Sequence, residues 1–187
     1  MKVLLLNGSR REKGCTYTAL TAVAEALNQN GIDTEIIHSL PETAIVDEVA
    51  EKLKAADGVV FGSPVYWASP SGEMVSFLDR LAAKAGGLLA HKAGAVVASA
   101  RRAGTTATLD VLNKYVAYHQ MVGVNSIYWP MVHGNTPDEV RRDEEGLQVM
   151  RVLGQNMAWV LKCLEAGKKA GIEPPAAEKT VRTNFIR

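Results

Sequence analysis

Four short apolar runs punctuate the chain: KVLLL (2–6), GVVFG (58–62), AGAVVASA (93–100) and VGVNSIYW (122–129). A weaker fifth, TEIIH (34–38), lies second in chain order. Runs that are continuous rather than alternating mark strands buried on both faces. Between them, apolar residues recur at helical spacing. Leu20, Val23, Ala24 and Leu27 form one stripe, stopped by Asn30-Gly31. Val46, Val49, Ala50 and Leu53 form a second, and Met74, Phe77, Leu78 and Leu81 a third that opens after Pro70-Ser71. Leu109, Leu112 and Val116 form a fourth. The longest comprises Met150, Leu153, Met157, Val160, Leu161 and Leu164, and Gly167 closes it. Ahead of it, TPDE (136–139) is a helix start: Thr136 can cap, Pro137 suits the first helical position and Glu139 can complete a capping box.

Strand and helix thus alternate five times. Right-handed crossovers between parallel strands place helices on both faces of the sheet. The pattern predicts a three-layer α/β domain over residues 1–167. Residues 168–187, with Pro174-Pro175, read as an extended C-terminal arm.

Composition narrows the function classes. At 187 residues the chain can bury one sizeable core and is short for two domains. A net charge of +1 gives no overall field directed at nucleic acid, and the basic residues of the arm read as solvated. No apolar run reaches transmembrane length, and Met1-Lys2 leads straight into VLLL without a secretory pattern. The two cysteines, Cys15 and Cys163, give neither a disulfide framework nor a metal spacing. The expectation is a cytoplasmic protein with no membrane, nucleic-acid or metal partner.

In open α/β sheets, ligands bind beyond the carboxyl ends of the strands. The segment after the first strand is NGSRREKGCT; after the third, SPVYWASPSG; after the fourth, SARRAGTT; after the fifth, PMVHGNT. Only SLPETA, after the second, is unremarkable. The first loop feeds a helix whose N-terminal N–H groups attract anions. Ser9, Thr16 and Thr18 can donate hydroxyl hydrogen bonds, while Arg10 or Arg11 can add charge or face solvent. A Walker A loop is excluded, because five residues separate Gly8 from Gly14 and Cys15 follows. GxGxxG is absent, and Asn7 stands where a receiver domain places acidic residues. A tyrosine-phosphatase nucleophile needs an Arg six residues after Cys15, and that position is Thr21. Cys15 therefore reads as a small residue at the helix start. In the second loop Pro64 and Pro70 stiffen the chain, and Tyr66 and Trp67 offer aromatic faces to a flat ring or to a packing partner. In the third, Ser99, Arg101, Arg102 and Gly104 suit an electron-rich ring edge. A phosphate at one loop and a planar ring at the next two describe FMN in a flavodoxin-like fold, a five-stranded parallel sheet of order 2-1-3-4-5.

The stretches GSRREKGCTYTAL, ADGVVFGSPVYWASPSGEMVSFLDR and TNFIR resemble the NADPH-dependent FMN reductase family, close to its iron–sulfur flavoprotein branch. The resemblance spans nearly the whole chain and is most specific over 57–80; in the first loop Cys15 stands where that branch usually has Asn. It implies bound FMN and a homodimer or homotetramer. By position, Ser9, Arg11 and Thr16 would hold the phosphate. Pro64, Val65, Tyr66 and Trp67 would line the ribityl chain and ring, and Ser99 to Gly104, with Arg101 and Arg102, would meet the pyrimidine edge. The iron–sulfur members carry a compact cysteine cluster after the second strand, whereas HSLPETAIVDEVAEKLKAA has none, so flavin chemistry alone remains. The expected activity is transfer of a hydride from NADPH or NADH through FMN to a small-molecule electron acceptor. Arg101 and Arg102 are candidates to stabilise reduced flavin, and His133 is the best titratable candidate near the rim. The alternative is an FMN-binding electron carrier or sensor without NAD(P)H turnover.

Overall fold

The computed structural model describes residues 1–185; Ile186 and Arg187, the end of the TNFIR stretch, lie outside the described residues. The order begins β1 (Lys2–Asn7), α1 (Cys15–Gln29), β2 (Asp33–His38), α2 (Thr43–Leu53) and β3 (Gly58–Tyr66). It continues through β4 (Ser69–Pro70), α3 (Gly72–Ala85), β5 (Ala93–Ala100), α4 (Thr105–Tyr118) and β6 (Val122–Gly123). β7 (Met131–His133), α5 (Pro137–Arg142) and α6 (Glu144–Lys169) complete it.

β1 shows why its middle, Val3 to Leu6, is uniformly apolar. Successive side chains of a strand point to opposite faces. Val3 and Leu5 enter a core with Leu20, Val23 and Leu27 of α1 and Leu153 and Met157 of α6. Leu4 and Leu6 enter a second core with Val49 of α2, Phe77 and Leu81 of α3 and Leu112 of α4. Both faces are covered, so neither can be polar. The parallel ladder runs β2-β1-β3-β5, with β6 and β7 both on the far side of β5. Counted as one edge position, β6 and β7 give the flavodoxin-like order 2-1-3-4-5.

The sheet contains seven strands rather than the expected five. The fifth run does not form one strand over 122–129. β6 pairs with the start of β5 and β7 with its end; Val124 and Pro130 still hydrogen-bond to β5 through their backbones, and residues 125–129 leave the ladder between them. Pro130 has no N–H to offer a ladder. The Asn125 carbonyl accepts from Asn156 Nδ2 at 2.8 Å, and Ser126 Oγ donates to the Val149 carbonyl at 2.6 Å, both toward α6. Ile127, Tyr128 and Trp129 are left exposed. The other additional strand, β4, folds back antiparallel on the end of β3.

The predicted start at TPDE opens only the six-residue α5. Thr136 Oγ1 accepts the Glu139 N–H at 3.2 Å, and Glu139 Oε2 accepts the Asn135 N–H at 2.5 Å, one residue ahead of the cap. The chain breaks at Asp143, whose Oδ1 caps α6 through the Gly146 N–H at 2.9 Å. Gly167 does not close α6, which runs on to Lys169. Beyond it, residues 172–185 form neither helix nor strand. β2 and α2 are joined by residues 39–42 alone. Among the described residues, no helix is long and apolar enough to cross a membrane.

Candidate flavin site

The loop 8–14 is shaped by its own polar groups. Asn7 Nδ2 donates to the Glu12 carbonyl at 2.8 Å, and Asn7 Oδ1 accepts the Ser9 N–H at 3.1 Å. Ser9 Oγ accepts the Arg11 N–H at 3.1 Å, which leaves its own hydroxyl hydrogen to be donated. His38 Nε2, at the end of β2, meets the Ser9 carbonyl at 2.6 Å. α1 then begins after Gly14 with no side-chain cap and no acidic residue in its first turn. Its first N–H groups therefore lack a side-chain acceptor, an electropositive end suited to an anion.

Two of the predicted hydroxyl groups are already engaged. Thr16 Oγ1 and Ser99 Oγ are buried 2.8 Å apart and tie the first turn of α1 to the end of β5. Thr18, expected among the anion donors, donates instead to the Gly14 carbonyl at 3.2 Å, the usual fate of a Thr hydroxyl within a helix.

The aromatic loop is a hairpin. β3 runs to Tyr66, and Val65 and Tyr66 pair with Pro70 and Ser69. The two linking residues, Trp67 and Ala68, have φ of 53° and 57°, so both are left-handed, as a type I′ turn requires. Such residues cost about 1–2 kcal/mol each outside glycine, so the surroundings must hold them. Gly104 does so from the α4 side. A Cβ there would lie 2.8 Å from both Ala68 Cα and Val65 Cγ1, and its φ of 103° is itself left-handed. Trp67 projects fully into solvent.

These loops meet in a cleft of about 190 Å³ at the carboxyl ends of β1, β3 and β5. Ser9, Arg11, Pro64, Val65, Tyr66, Ser99 and Arg101 border it. Cys15, Ala100, Gly134 and Asn135 complete it. Gly134 and Asn135 were not singled out from the sequence, although GNT after the last strand was the available signal. Thr16 lies buried beside Ser99, Gly104 packs under the hairpin, and Trp67 and Arg102 stand exposed outside the cleft. His133 does not border it. Its N–H donates to Asp143 Oδ2 at 2.6 Å, and its Nδ1 lies 4.0 Å from the same oxygen. Larger clefts of about 680 and 720 Å³ lie against α6 and His91, toward the opposite end of the strands.

Cys15 Sγ donates to the Gly134 carbonyl at 3.6 Å. Burial pushes its thiol above the ordinary value of 9.0, against the opposing pull of Arg11. Because the unfolded thiol ionises first, this shift stabilises the fold below about pH 9 and the gain is lost as pH rises further. Iodoacetamide should therefore label Cys15 more slowly in the folded protein than in the denatured chain at pH 7.5. Peptide mapping that found Cys15 labelled equally fast in both would contradict this.

Among the described residues, no group of three or more His, Cys, Asp or Glu side chains could hold a metal ion. Residues 1–136 match the family model described as NADPH-dependent FMN reductase. An iron–sulfur flavoprotein of Methanocaldococcus jannaschii is 29% identical over 194 residues, covering 88% of this chain and 100% of the relative. That aligned length exceeds the 187 residues here, so the relative carries insertions this chain lacks. Two cysteines in all fall short of the usual four thiolates of a cluster. Among solved structures, a WrbA-like flavodoxin from Agrobacterium tumefaciens matches with a TM-score of 0.70 at 21% identity, covering 87% of this chain and 97% of that one. An NAD(P)H:quinone oxidoreductase from Methanothermobacter marburgensis matches at 0.64 and 19% identity, covering 84% and 96%. Similarity at that identity establishes the flavodoxin-like fold. With most of its length matched by the family model, the chain belongs to the NADPH-dependent FMN reductase family of flavin-dependent oxidoreductases.

Proposed function

We propose that this rim binds FMN, which when bound would accept a hydride from NADPH or NADH and pass reducing equivalents to a small acceptor such as a quinone, an azo or nitro compound, or free flavin. The uncapped N-terminus of α1 carries the reading. It lies beside Ser9 and Arg11 in the same cleft as Tyr66 and Arg101. This donor set fits a phosphate, because it offers N–H groups, a hydroxyl hydrogen and a cation with no carboxylate among the cleft-lining residues.

On this reading Ser9 donates its hydroxyl to the phosphate, Arg11 supplies charge and Thr16 contributes its backbone N–H from the first turn of α1. Pro64, Val65 and Tyr66 line the ribityl chain and ring, with Trp67 at the hairpin tip outside the cleft. Ser99 and Arg101 border the pyrimidine edge, where Arg101 favours negative charge; Arg102, exposed outside the cleft, adds to the same field, and Gly104 supports the hairpin from below. The name of the quinone oxidoreductase with the same fold agrees with this reaction class.

The test is anaerobic bleaching of the FMN-loaded protein by NADPH or NADH. Failure with both reductants would sink the reductase and leave a carrier. Arg101→Ala with Arg102→Ala should slow reduction about tenfold or more while FMN is retained. Equal losses in both properties would contradict the assigned role.

We also propose a homodimer or homotetramer formed through α6, where Trp159 is 68% exposed and Leu164 and Cys163 are exposed nearby. Light scattering should show Trp159→Arg shifted to a smaller species. An unchanged mass would exclude that face.

A further inference from the structure

Arg10 and Arg11 are adjacent in sequence and do different things. Arg11 borders the cleft. Arg10 turns the other way: its Nε lies 2.5 Å from Glu73 Oε1, and its guanidinium carbon lies 5.6 Å from the centre of the Tyr66 ring. Glu73 sits in the first turn of α3. Its side chain is only 21% exposed, and its Oε2 is buried without a hydrogen-bond partner among the described residues. Arg10 is the cation that compensates this carboxylate, so its own charge is not free for a phosphate.

The two residues join elements that already touch beneath them. Ser71 Oγ donates to the Gly8 carbonyl at 2.6 Å and accepts the Met74 N–H at 3.1 Å. The Ser71 N–H reaches Ser63 Oγ at 2.9 Å. These bonds fix the base of the hairpin that carries Tyr66. Nothing among them fixes the ring itself. A guanidinium is planar and stacks readily on an aromatic face, whereas the carboxylate sets where it stands.

We infer that Arg10 and Glu73 form a clasp that positions the Tyr66 ring as the stacking face for a planar ligand in the cleft. They are positioning residues, acting through Tyr66. The clasp rests on the proposal that this ligand is FMN, but it exists in the apoprotein and can be tested there. It also predicts what it does not touch: the phosphate contacts of Ser9, Arg11 and the α1 terminus.

The experiment is Glu73→Gln, studied with and without flavin. In the apoprotein, amide exchange of residues 65–69 should quicken relative to the unaltered chain. Titrated by flavin fluorescence, the variant should bind FMN and riboflavin each about tenfold more weakly, because the ring contact is common to both. In a Tyr66→Leu background the same substitution should cost nothing further, since the residue through which it acts is gone. Unchanged exchange at 65–69, or a tenfold loss that persists without Tyr66, would overturn the clasp. If the unaltered chain takes up no flavin at all, the FMN reading fails, and the exchange measurement still decides the clasp by itself.

Discussion

Gly8→Ala should lower the melting temperature by about 2–12 °C and weaken flavin binding with it. A Cβ at Gly8 would stand 2.5 Å from Met74 Cβ and 2.6 Å from Met74 Sδ. The thioether could swing aside, but the Cβ cannot, because it is fixed to the backbone of α3. Nor can the loop retreat. The Gly8 N–H donates to the Gly62 carbonyl at 2.9 Å and its carbonyl accepts from Ser71. An added methyl in so tight a space costs about 1–3 kcal/mol, and a chain of this size loses about 2–4 °C per kcal/mol. Relaxation would displace the start of the loop that carries Ser9, hence the weaker binding. Gly72→Ala is the control. Nothing lies within 4 Å of its added Cβ, and it opens α3 in a helical position. Alanine there should hold or slightly raise the melting temperature. Equal behaviour of the two variants would show that the first loop yields freely.

Arg11→Ala should weaken FMN binding about tenfold and leave riboflavin binding unchanged. Charge-assisted hydrogen bonds to phosphate are strong, but Arg11 is exposed and screened, so the lower end of their range applies. Riboflavin has no phosphate, which makes the comparison specific to that contact. The loss should also shrink as salt is raised. Equal weakening for both flavins would remove Arg11 from the phosphate. The contrast with Glu73→Gln, which should affect both flavins alike, separates the two neighbouring arginines by experiment.

The sheet was legible because a strand covered on both faces must be apolar along its covered length, and β1, β3 and β5 obey that rule until Asn7, Ser63 and Ser99 at their carboxyl ends. The flavodoxin-like order followed from the loops after the first, third and fourth runs, which together suit the phosphate and ring of FMN. The fifth strand was misread for a physical reason. Tyr128 and Trp129 have high strand propensity, but propensity describes a pleated surface with neighbours, and here β5 pairs with the start of the run at 122–123 and then only beyond it at 131–133. Pro130 was the overlooked signal. The break at Asp143 was hidden because TPDE, a complete start signal, stands ahead of the Met150–Leu164 stripe and reads as its opening. Within the site, the loops were visible but the directions of side chains were not. Thr18 turns into its helix, Arg10 goes to a carboxylate 63 positions away, and Asn135 arrives from the far edge of the sheet. Such pairings depend on which strands are neighbours, and local spacing does not carry that information.

The turn of residues 39–42 between β2 and α2 has a consequence for molecular size. In a flavoprotein that also holds a cluster, single electrons can tunnel from the flavin to a second centre and leave from there, so the recipient can be another protein docked at a distance. With no cysteine in that interval, this chain offers no thiolate ligands there for such an outlet. On the proposed function every recipient must reach the rim between Tyr66 and Arg101 in person. The acceptors are thereby restricted to molecules slender enough to enter, and reductant and acceptor must use the same doorway in turn.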